Sequence, residues 1–485
     1  MGANLSSLPY EDPGPAVTND RISRIIKEIE GTTEFVIESV EDQAGQEIEG
    51  GLGSDMGVVE VRAQFTKKVD EEIIEENKTY NWVIKSIPRE IERFLVSRHV
   101  LSYNEREIRF FKDFLPRLTE FANGKEGGFS MPSFNPTPFT SWNEEDKVLV
   151  MQNLTKIGYR EGVNMLVKGI DVDHTEMAIK WLAKFHALGY AYFQQTFCEC
   201  RNWRCQGRGT CDCGIKNLKK SDLSIFMMNF CDVPNFDGVQ SSYSTISEEN
   251  FLRTLEEIEK EGEKKYVGQF QDFLNKYGHL FRGCEQFREF DQTAFKVNTF
   301  THGDPHVGNT MYQYGEENGG TNVKDMTFID FQFVLYKPAV LDLHKFIWIS
   351  TTADTRKHLR KILKTYYDTF MKSINQLGSP LKYSFDEFLN DFRRSFVDGL
   401  YWASHFFVYQ NYTSKEDRIN MDELNRLCVD MMSDCNNPEF QDKYNKVNMK
   451  LDESSRKNET YQKRMKDFMD DVMDLDLIFS GSVWL

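Results

Sequence analysis

The chain has 485 residues, 40% of them hydrophobic and 13% aromatic, enough to bury cores in two or more lobes and too many for a disordered or fibrous protein. Lys and Arg number 59 against 76 Asp and Glu, a formal net charge of −17 that opposes binding to a polyanionic backbone, so nucleic acid is not an expected partner. No apolar run approaches the roughly 20 residues of a membrane-spanning helix, and the best candidate, near Ile347, is broken by Asp342, His344 and Lys345.

The first residues, MGANLSSLPY, lack the basic start and apolar core of a secretory signal, so the expectation is a cytoplasmic protein whose nine cysteines are thiols or metal ligands. They do fit the pattern M-G-x-x-x-[ST], with Gly2 and Ser6 placed for N-myristoylation. The competing reading is an ordinary flexible tail over residues 1–20. A single acyl chain at Gly2 would give only weak membrane association.

From Arg21 to Glu30 the spacing of Ile22, Ile25, Ile26 and Ile29 predicts a helix. Glu34–Val40 and Gly57–Phe65 then read as strands on either side of the glycine cluster Gly50, Gly51 and Gly53, and Tyr80–Ile87 as a third. Three such strands predict a small antiparallel sheet. Phe94–Leu118 carries apolar residues at helical spacing and is expected to stop near Pro116. A linker rich in Gly and Pro leads to an apolar strand, Lys147–Leu154, and the rest is mostly helical, beginning with Thr175–Leu188. Strands first and helices later predict an α+β protein of two lobes with a cleft between them. The expected division is a nucleotide-binding lobe over residues 21–152 and a catalytic and acceptor-binding lobe over 153–485.

The most informative stretch is His302-Gly303-Asp304-Pro305-His306-Val307-Gly308-Asn309, followed by Phe328-Ile329-Asp330-Phe331-Gln332. Phosphoryl transfer needs a carboxylate to orient or deprotonate the attacking hydroxyl, and hard oxygen ligands for the Mg²⁺ that bridges the phosphates. Asp304 is the candidate base, with Asn309 and Asp330 as candidate metal ligands. His302 is expected to hold the loop rather than do chemistry, and His306 reads as a structural loop residue.

A triphosphate must also be held. Lys85 sits inside the apolar strand Trp82-Val83-Ile84-Lys85, where an ammonium is costly to bury unless it is paired or touches phosphate. Its partner is expected on the following helix at Glu107, which precedes the apolar pair Phe110 and Phe111, with Glu105 as the competing choice. The loop Gly50-Gly51-Leu52-Gly53-Ser54 is a candidate phosphate cradle through its backbone N–H groups, which singles out Gly51, Gly53 and Ser54.

These pieces resemble the ecdysteroid-kinase-like, or CHK-kinase-like, family within the aminoglycoside and choline kinase superfamily. The likeness runs from about residue 35 to 350. It is carried by Val83-Ile84-Lys85-Ser86-Ile87-Pro88, Glu107-Ile108-Arg109-Phe110-Phe111, Leu149-Val150-Met151, Leu182-Ala183-Lys184-Phe185-His186-Ala187, HGDPHVGNT, FIDFQ and Pro338-Ala339-Val340-Leu341-Asp342-Leu343. The resemblance implies a protein-kinase-like fold, ATP with its adenine against a hinge at Met151, Gln152 and Asn153, an alcohol acceptor on the helical lobe, and Asp342 as a buttress of the catalytic loop. Gln152 and Asn153 stand where the hinge usually carries acidic residues.

Protein kinases usually have Arg after the catalytic-loop His and Gly after the Phe of the metal motif, where this chain has Gly303 and Gln332. Asp342 follows Asp330 too closely to leave room for an activation segment that holds a peptide. The expected activity is therefore ATP-dependent transfer of the γ-phosphoryl group to a hydroxyl of a small metabolite such as a steroid alcohol, a glycoside or a choline-like alcohol. The alternative is an inactive pseudokinase serving as a nucleotide-binding or membrane-tethered scaffold. Tyr401, Trp402, His405, Phe406 and Phe407 read either as plain core or as the lining of an acceptor pocket. No pattern specifies an oligomeric state.

Within an insert at about residues 197–214 lie Cys198, Cys200, Cys205, Cys211 and Cys213, enough thiolates for a tetrahedral Zn²⁺ site. The competing reading is an unliganded or redox-sensitive loop, since no C-x2-C pair is present. Asp470, Asp471, Asp474 and Asp476 read as a solvated acidic helix end.

Overall fold

The computed structural model describes residues 17–42, 55–69, 72–86, 98–142, 147–166, 168–196, 252–260, 266–268, 270–272, 275, 295–315, 322–396, 399, 402–403, 437–456 and 458–478. They form two compact units that are discontinuous in sequence. The first comprises the described residues within Met1–Ile108 and Asn135–Ile157, and the second those within Arg109–Phe134 and Gly158–Leu485.

In the first unit, α1 (Asn19–Glu30) starts at Thr18, whose hydroxyl accepts the Arg21 N–H, and stops at Gly31, whose φ of 67° is one that glycine adopts without strain. Strands β1 (Phe35–Asp42), β2 (Asp55–Val69) and β3 (Glu72–Ser86) follow. After helix α2 (Arg98–Arg109) and the helical run into the second unit, the chain returns as β4 (Phe139–Trp142) and β5 (Lys147–Gln152). All neighbours in the sheet are antiparallel, in the order β1-β2-β3-β5-β4, so two strands join the three-stranded core that the sequence predicts.

Alternation decides which face is which. Val59, Val61, Ala63 and Phe65 of β2, Trp82 and Ile84 of β3, and Val148 and Val150 of β5 pack with Ile22, Ile25 and Ile26 of α1 in one buried cluster. With a side-chain period of two, Lys85 then points to the opposite face from Ile84.

The second helical run departs from expectation at its end. Pro116 does not stop it: a π-helical turn, Phe110–Phe114, leads into α3 (Leu115–Asn123), and Pro116 lies in the first turn of that helix. A first-turn proline is tolerated because its missing N–H would have had no partner in the helix. Phe110, Phe111 and Phe114 on this turn are all buried.

The second unit is mainly helical. Its central element, α4 (Val172–Thr196), is buried on nearly every side, from Ala178 to Phe193, as expected of a helix whose apolar residues surround it. Two hairpin sheets carry the motif residues: β6 (Tyr159–Glu161), β8 (Thr310–Tyr314) and β9 (Val323–Phe328) in the order β6-β8-β9, and β7 (Asn298–Thr301) with β10 (Leu335–Pro338). Helix α5 (Val340–Ser350) then runs through the core, and α6 (Leu359–Gln376) packs along α4. Among the described residues no helix is long and apolar enough to cross a membrane.

The polar residues that interrupt the apolar run of α5 are buried, not solvated. Asp342, His344 and Lys345 are 2%, 0% and 5% exposed. His344 donates from Nε2 to the Phe392 carbonyl at 2.6 Å and accepts the Trp348 indole N–H at 3.0 Å. At the C-terminal end, Asp471 pairs with Arg356, and Asp470 accepts the Tyr266 hydroxyl at 2.9 Å, so the acidic stretch is partly tied into the unit.

Burial pushes the His344 imidazole down to about 3, with the Phe392 carbonyl opposing. Its folded value therefore lies below the roughly 6.5 of an unfolded histidine. Between those values the unfolded chain binds a proton that the folded one does not, so stability falls as pH falls, by about 1.4 kcal/mol per pH unit. Urea unfolding at about pH 7.5 and pH 5.5 should show a steeper acid loss in the natural protein than in His344→Gln; equal losses would mean His344 is not held neutral.

Candidate active site

Two hairpins of the second unit place the motif residues. β7 ends at Thr301, the loop from His302 to His306 follows, and a 3₁₀ turn at Val307–Asn309 leads into β8. β9 delivers Ile329 and Asp330, and the Ile329 N–H donates to the Asn309 carbonyl at 2.9 Å, closing the two loops on one another.

The loop is held from behind by Asp342. Its Oδ2 accepts the His302 N–H at 2.6 Å and its Oδ1 the Gly303 N–H at 3.0 Å. The same carboxylate meets His186 Nε2 at 3.0 Å, and His186 Nδ1 meets the Tyr366 hydroxyl at 2.8 Å. This pattern assigns the imidazole proton to Nε2, with Nδ1 accepting from tyrosine. Two backbone N–H groups and one imidazole thus meet the buried carboxylate.

His302 is buried and faces inward. Its Nε2–H donates to the Ile329 carbonyl at 3.0 Å, and its Nδ1 accepts the Asp304 N–H at 3.3 Å. Burial holds its imidazole below the ordinary value, against the pull of Asp342, Asp304 and Asp330. Gly303 has φ of 81°, and a Cβ there would lie 2.0 Å from the Phe333 carbonyl oxygen. Glycine after the histidine is thus required by backbone geometry, which is the physical reason an arginine is absent from that position.

Asp304 is 9% exposed. Its Oδ1 pairs with Lys345 Nζ at 2.8 Å, and Lys345 also donates to the Gly303 carbonyl at 2.8 Å. Its Oδ2 lies 3.3 Å from Asn309 Nδ2 and 3.6 Å from His306 Nε2. Burial alone would raise the Asp304 carboxyl, but Lys345 and His306 outweigh it and hold the group well below the usual carboxylate range. His306 Nδ1 also caps the 3₁₀ turn by accepting the Gly308 N–H at 3.0 Å.

Asn309 donates its amide to the Asp304 carbonyl at 3.0 Å as well as to the carboxylate, so only its Oδ1 is chemically able to serve a cation. Asp330 has φ of 65° and ψ of 68° and is the one non-glycine residue with positive φ among the described residues. Such a conformation is strained by about 1–3 kcal/mol and persists where the surroundings over-determine it, commonly at functional sites. Gln332 Nε2 donates to Asp330 Oδ2 at 3.1 Å. Phe331 is buried, stacked on Phe110 at 4.7 Å and packed on His302 at 4.6 Å.

In the first unit Lys85 Nζ meets Glu107 Oε2 at 2.7 Å, with the two side chains 6% and 1% exposed. Glu107, the expected partner, is the glutamate placed on the lysine, rather than the competing Glu105. Just after β5, the Asn153 N–H donates to the Asn81 carbonyl at 2.9 Å, and Asn153 Oδ1 accepts from Thr155 N–H and Oγ1–H at 3.1 and 2.7 Å. The Asn153 side chain therefore caps the following turn. Met151 is buried in β5 opposite Val83, and the Gln152 N–H donates to the Pro136 carbonyl at 2.9 Å.

Gly2, Gly51, Gly53, Ser54 and the five cysteines from Cys198 to Cys213 lie outside the described residues. Among the described residues no group of three or more His, Cys, Asp or Glu is placed to hold a metal by itself. The residue that sequence reasoning missed is Lys345. It is visible in the sequence only as a charge inside an apolar helix three residues after Asp342, the same kind of signal that singles out Lys85.

The ecdysteroid kinase-like family model matches residues 57–206 and 214–379, well over half of the chain. The chain belongs to the ecdysteroid kinase-like family. The fold is α+β, with a small unit built on an antiparallel sheet and a larger, mainly helical one. Among solved structures, this family member is similar to wild-type aminoglycoside 2'-phosphotransferase-IIIa in its GDP complex. That match has 10% identity and a TM-score of 0.34, covering 80% of this chain and 98% of the other. A glucosamine kinase matches at 11% identity and a TM-score of 0.26, covering 93% and 85%. Comparison with curated proteins gives no match.

Gly303→Ala must move either the loop or the Phe333 carbonyl. The expected loss is at least about 2 kcal/mol of unfolding free energy, measured by urea denaturation; a change within about 0.5 kcal/mol would mean that the tight approach at Gly303 is absent in solution.

Proposed function

We propose that this family member is an ATP-dependent kinase that phosphorylates a hydroxyl group of a small molecule. The observation that carries the reading is Asp304, a buried carboxylate held ionised by two cationic or donor side chains, on a loop fixed by Asp342 and laid against the strained Asp330. A carboxylate so held can accept a hydrogen bond from an alcohol and draw its proton as the new O–P bond forms and the bond to the leaving ADP breaks.

Asn309 Oδ1 and the Asp330 carboxylate are hard oxygen donors and few in number, which suits Mg²⁺, an ion usually held by one or two carboxylates together with phosphates and water. Bound there, Mg²⁺ would neutralise charge on the phosphates. Gln332 would hold Asp330 in its ligating orientation. Lys85, oriented by Glu107, would hold the nucleotide phosphates, with Gly51, Gly53 and Ser54 covering them and the backbone of Met151, Gln152 and Asn153 meeting the base. The setting is cytoplasmic, with weak membrane association where Gly2 is acylated.

The test is a mass-spectrometric screen of a metabolite extract incubated with Mg·ATP and either the natural protein or Asp304→Asn. Compounds gaining one phosphoryl group only with the natural protein are expected, and for such an acceptor Asp304→Asn should lower kcat on the order of a thousandfold. Lys85→Met should raise KM for ATP by about tenfold. Absence of any transfer in metabolite, steroid and glycoside libraries, with ATP binding demonstrated, would replace this reading with the scaffold one.

A further inference from the structure

We propose that Lys345 sets the acceptor class: its ammonium fills the cation position formed by the Asp304 carboxylate and the Trp402 ring. The acceptor is then a neutral or anionic alcohol rather than a choline-like or amino-sugar cation. This deepens the kinase reading above and rests on it.

Three contacts define the position. Lys345 Nζ lies 2.8 Å from Asp304 Oδ1, 2.8 Å from the Gly303 carbonyl oxygen and 3.5 Å from the centre of the Trp402 ring. Phe333 stands further off, at 5.9 Å. A carboxylate beside the face of an indole is the chemistry that binds an ammonium or quaternary ammonium ion. Here the ammonium belongs to the protein, and its three donors are matched by the carboxylate, the carbonyl and the ring face.

Any acceptor whose hydroxyl reaches Asp304 must bring its neighbouring atoms close to this ammonium. Among the described residues, the other charged or titratable groups around the catalytic carboxylate include His302, His306, Asp342 and Asp330, while Lys345 Nζ and Asp304 Oδ1 are in direct contact. A second cation a few ångströms from Nζ is opposed by like-charge repulsion and finds the ring face occupied. A neutral hydroxylated ring system or an anionic alcohol meets neither obstacle.

The inference predicts a gain of binding on removing the charge. Lys345→Met keeps the length of the stem against Trp402 and empties the cation position; Lys345→Arg keeps the charge. Choline and its uncharged isostere 3,3-dimethyl-1-butanol serve as probes, followed by ligand-observed NMR with the full chain, which requires no turnover. Choline should bind Lys345→Met at least about tenfold more tightly than it binds the natural protein or Lys345→Arg, whereas the isostere should bind all three alike.

Choline binding to the natural protein as tight as that of the isostere would overturn the proposal, as would a folded Lys345→Met with no gain for choline. Should that variant fail to fold by circular dichroism, Lys345→Leu takes its place with the same expectation. A natural protein that transfers no phosphoryl group to any alcohol counts against the kinase reading alone, because the choline comparison is a binding measurement.

Discussion

The second unit is organised around one buried carboxylate. Asp342 takes the backbone N–H groups of both His302 and Gly303, and His186 closes on its other side. A buried ion of this kind is tolerable only when its lone pairs are filled, and here filling them fixes the loop that presents Asp304. Helices α4 and α5, far apart in sequence, are thereby tied to one loop, and Tyr366 of α6 extends the tie through His186.

Two backbone features follow from that anchoring. Gly303 turns through a positive φ under the Phe333 carbonyl, and Asp330 is forced into the left-handed region without being a glycine. Both lie where the 302–309 loop meets the segment after β9. Strain of this sort needs rigid support, supplied by Phe331 packed among Phe110, Phe111, Phe185 and His302. The aromatic residues of the FIDFQ and EIRFF segments thus belong to the same piece of packing that aims the polar residues.

The first unit solves a related problem with different parts. Strand alternation gives Ile84 to the core shared with α1 and turns Lys85 the other way, where Glu107 of α2 meets it. Lys85–Glu107 and Lys345–Asp304 are both nearly buried ion pairs, and in each the lysine rides on an otherwise apolar element. Such pairs are a poor source of net stability compared with apolar packing. Their presence fits a role in holding charge at a defined place.

Much of this was legible in the sequence because it depends on local order. The HGDPHVGN and FIDFQ segments, the strand lysine and the α+β sequence of elements all follow from residue type, spacing and period. That Glu107 rather than its rival Glu105 meets Lys85, by contrast, is decided only by the placing of α2 beside β3. Pro116 looked like a terminator until the π turn before it put it at a new helix start. Lys345 looked like one more charge breaking an apolar run; only folding brings its ammonium to Asp304 and the Trp402 ring, because those groups are far apart in sequence and distance in space is set by packing. The sequence by itself therefore determined which polar and charged groups stand close together along the chain, since that is a matter of residue type and local spacing. The tertiary structure alone decided which of them are paired, buried and strained, since long-range contacts have no local signature.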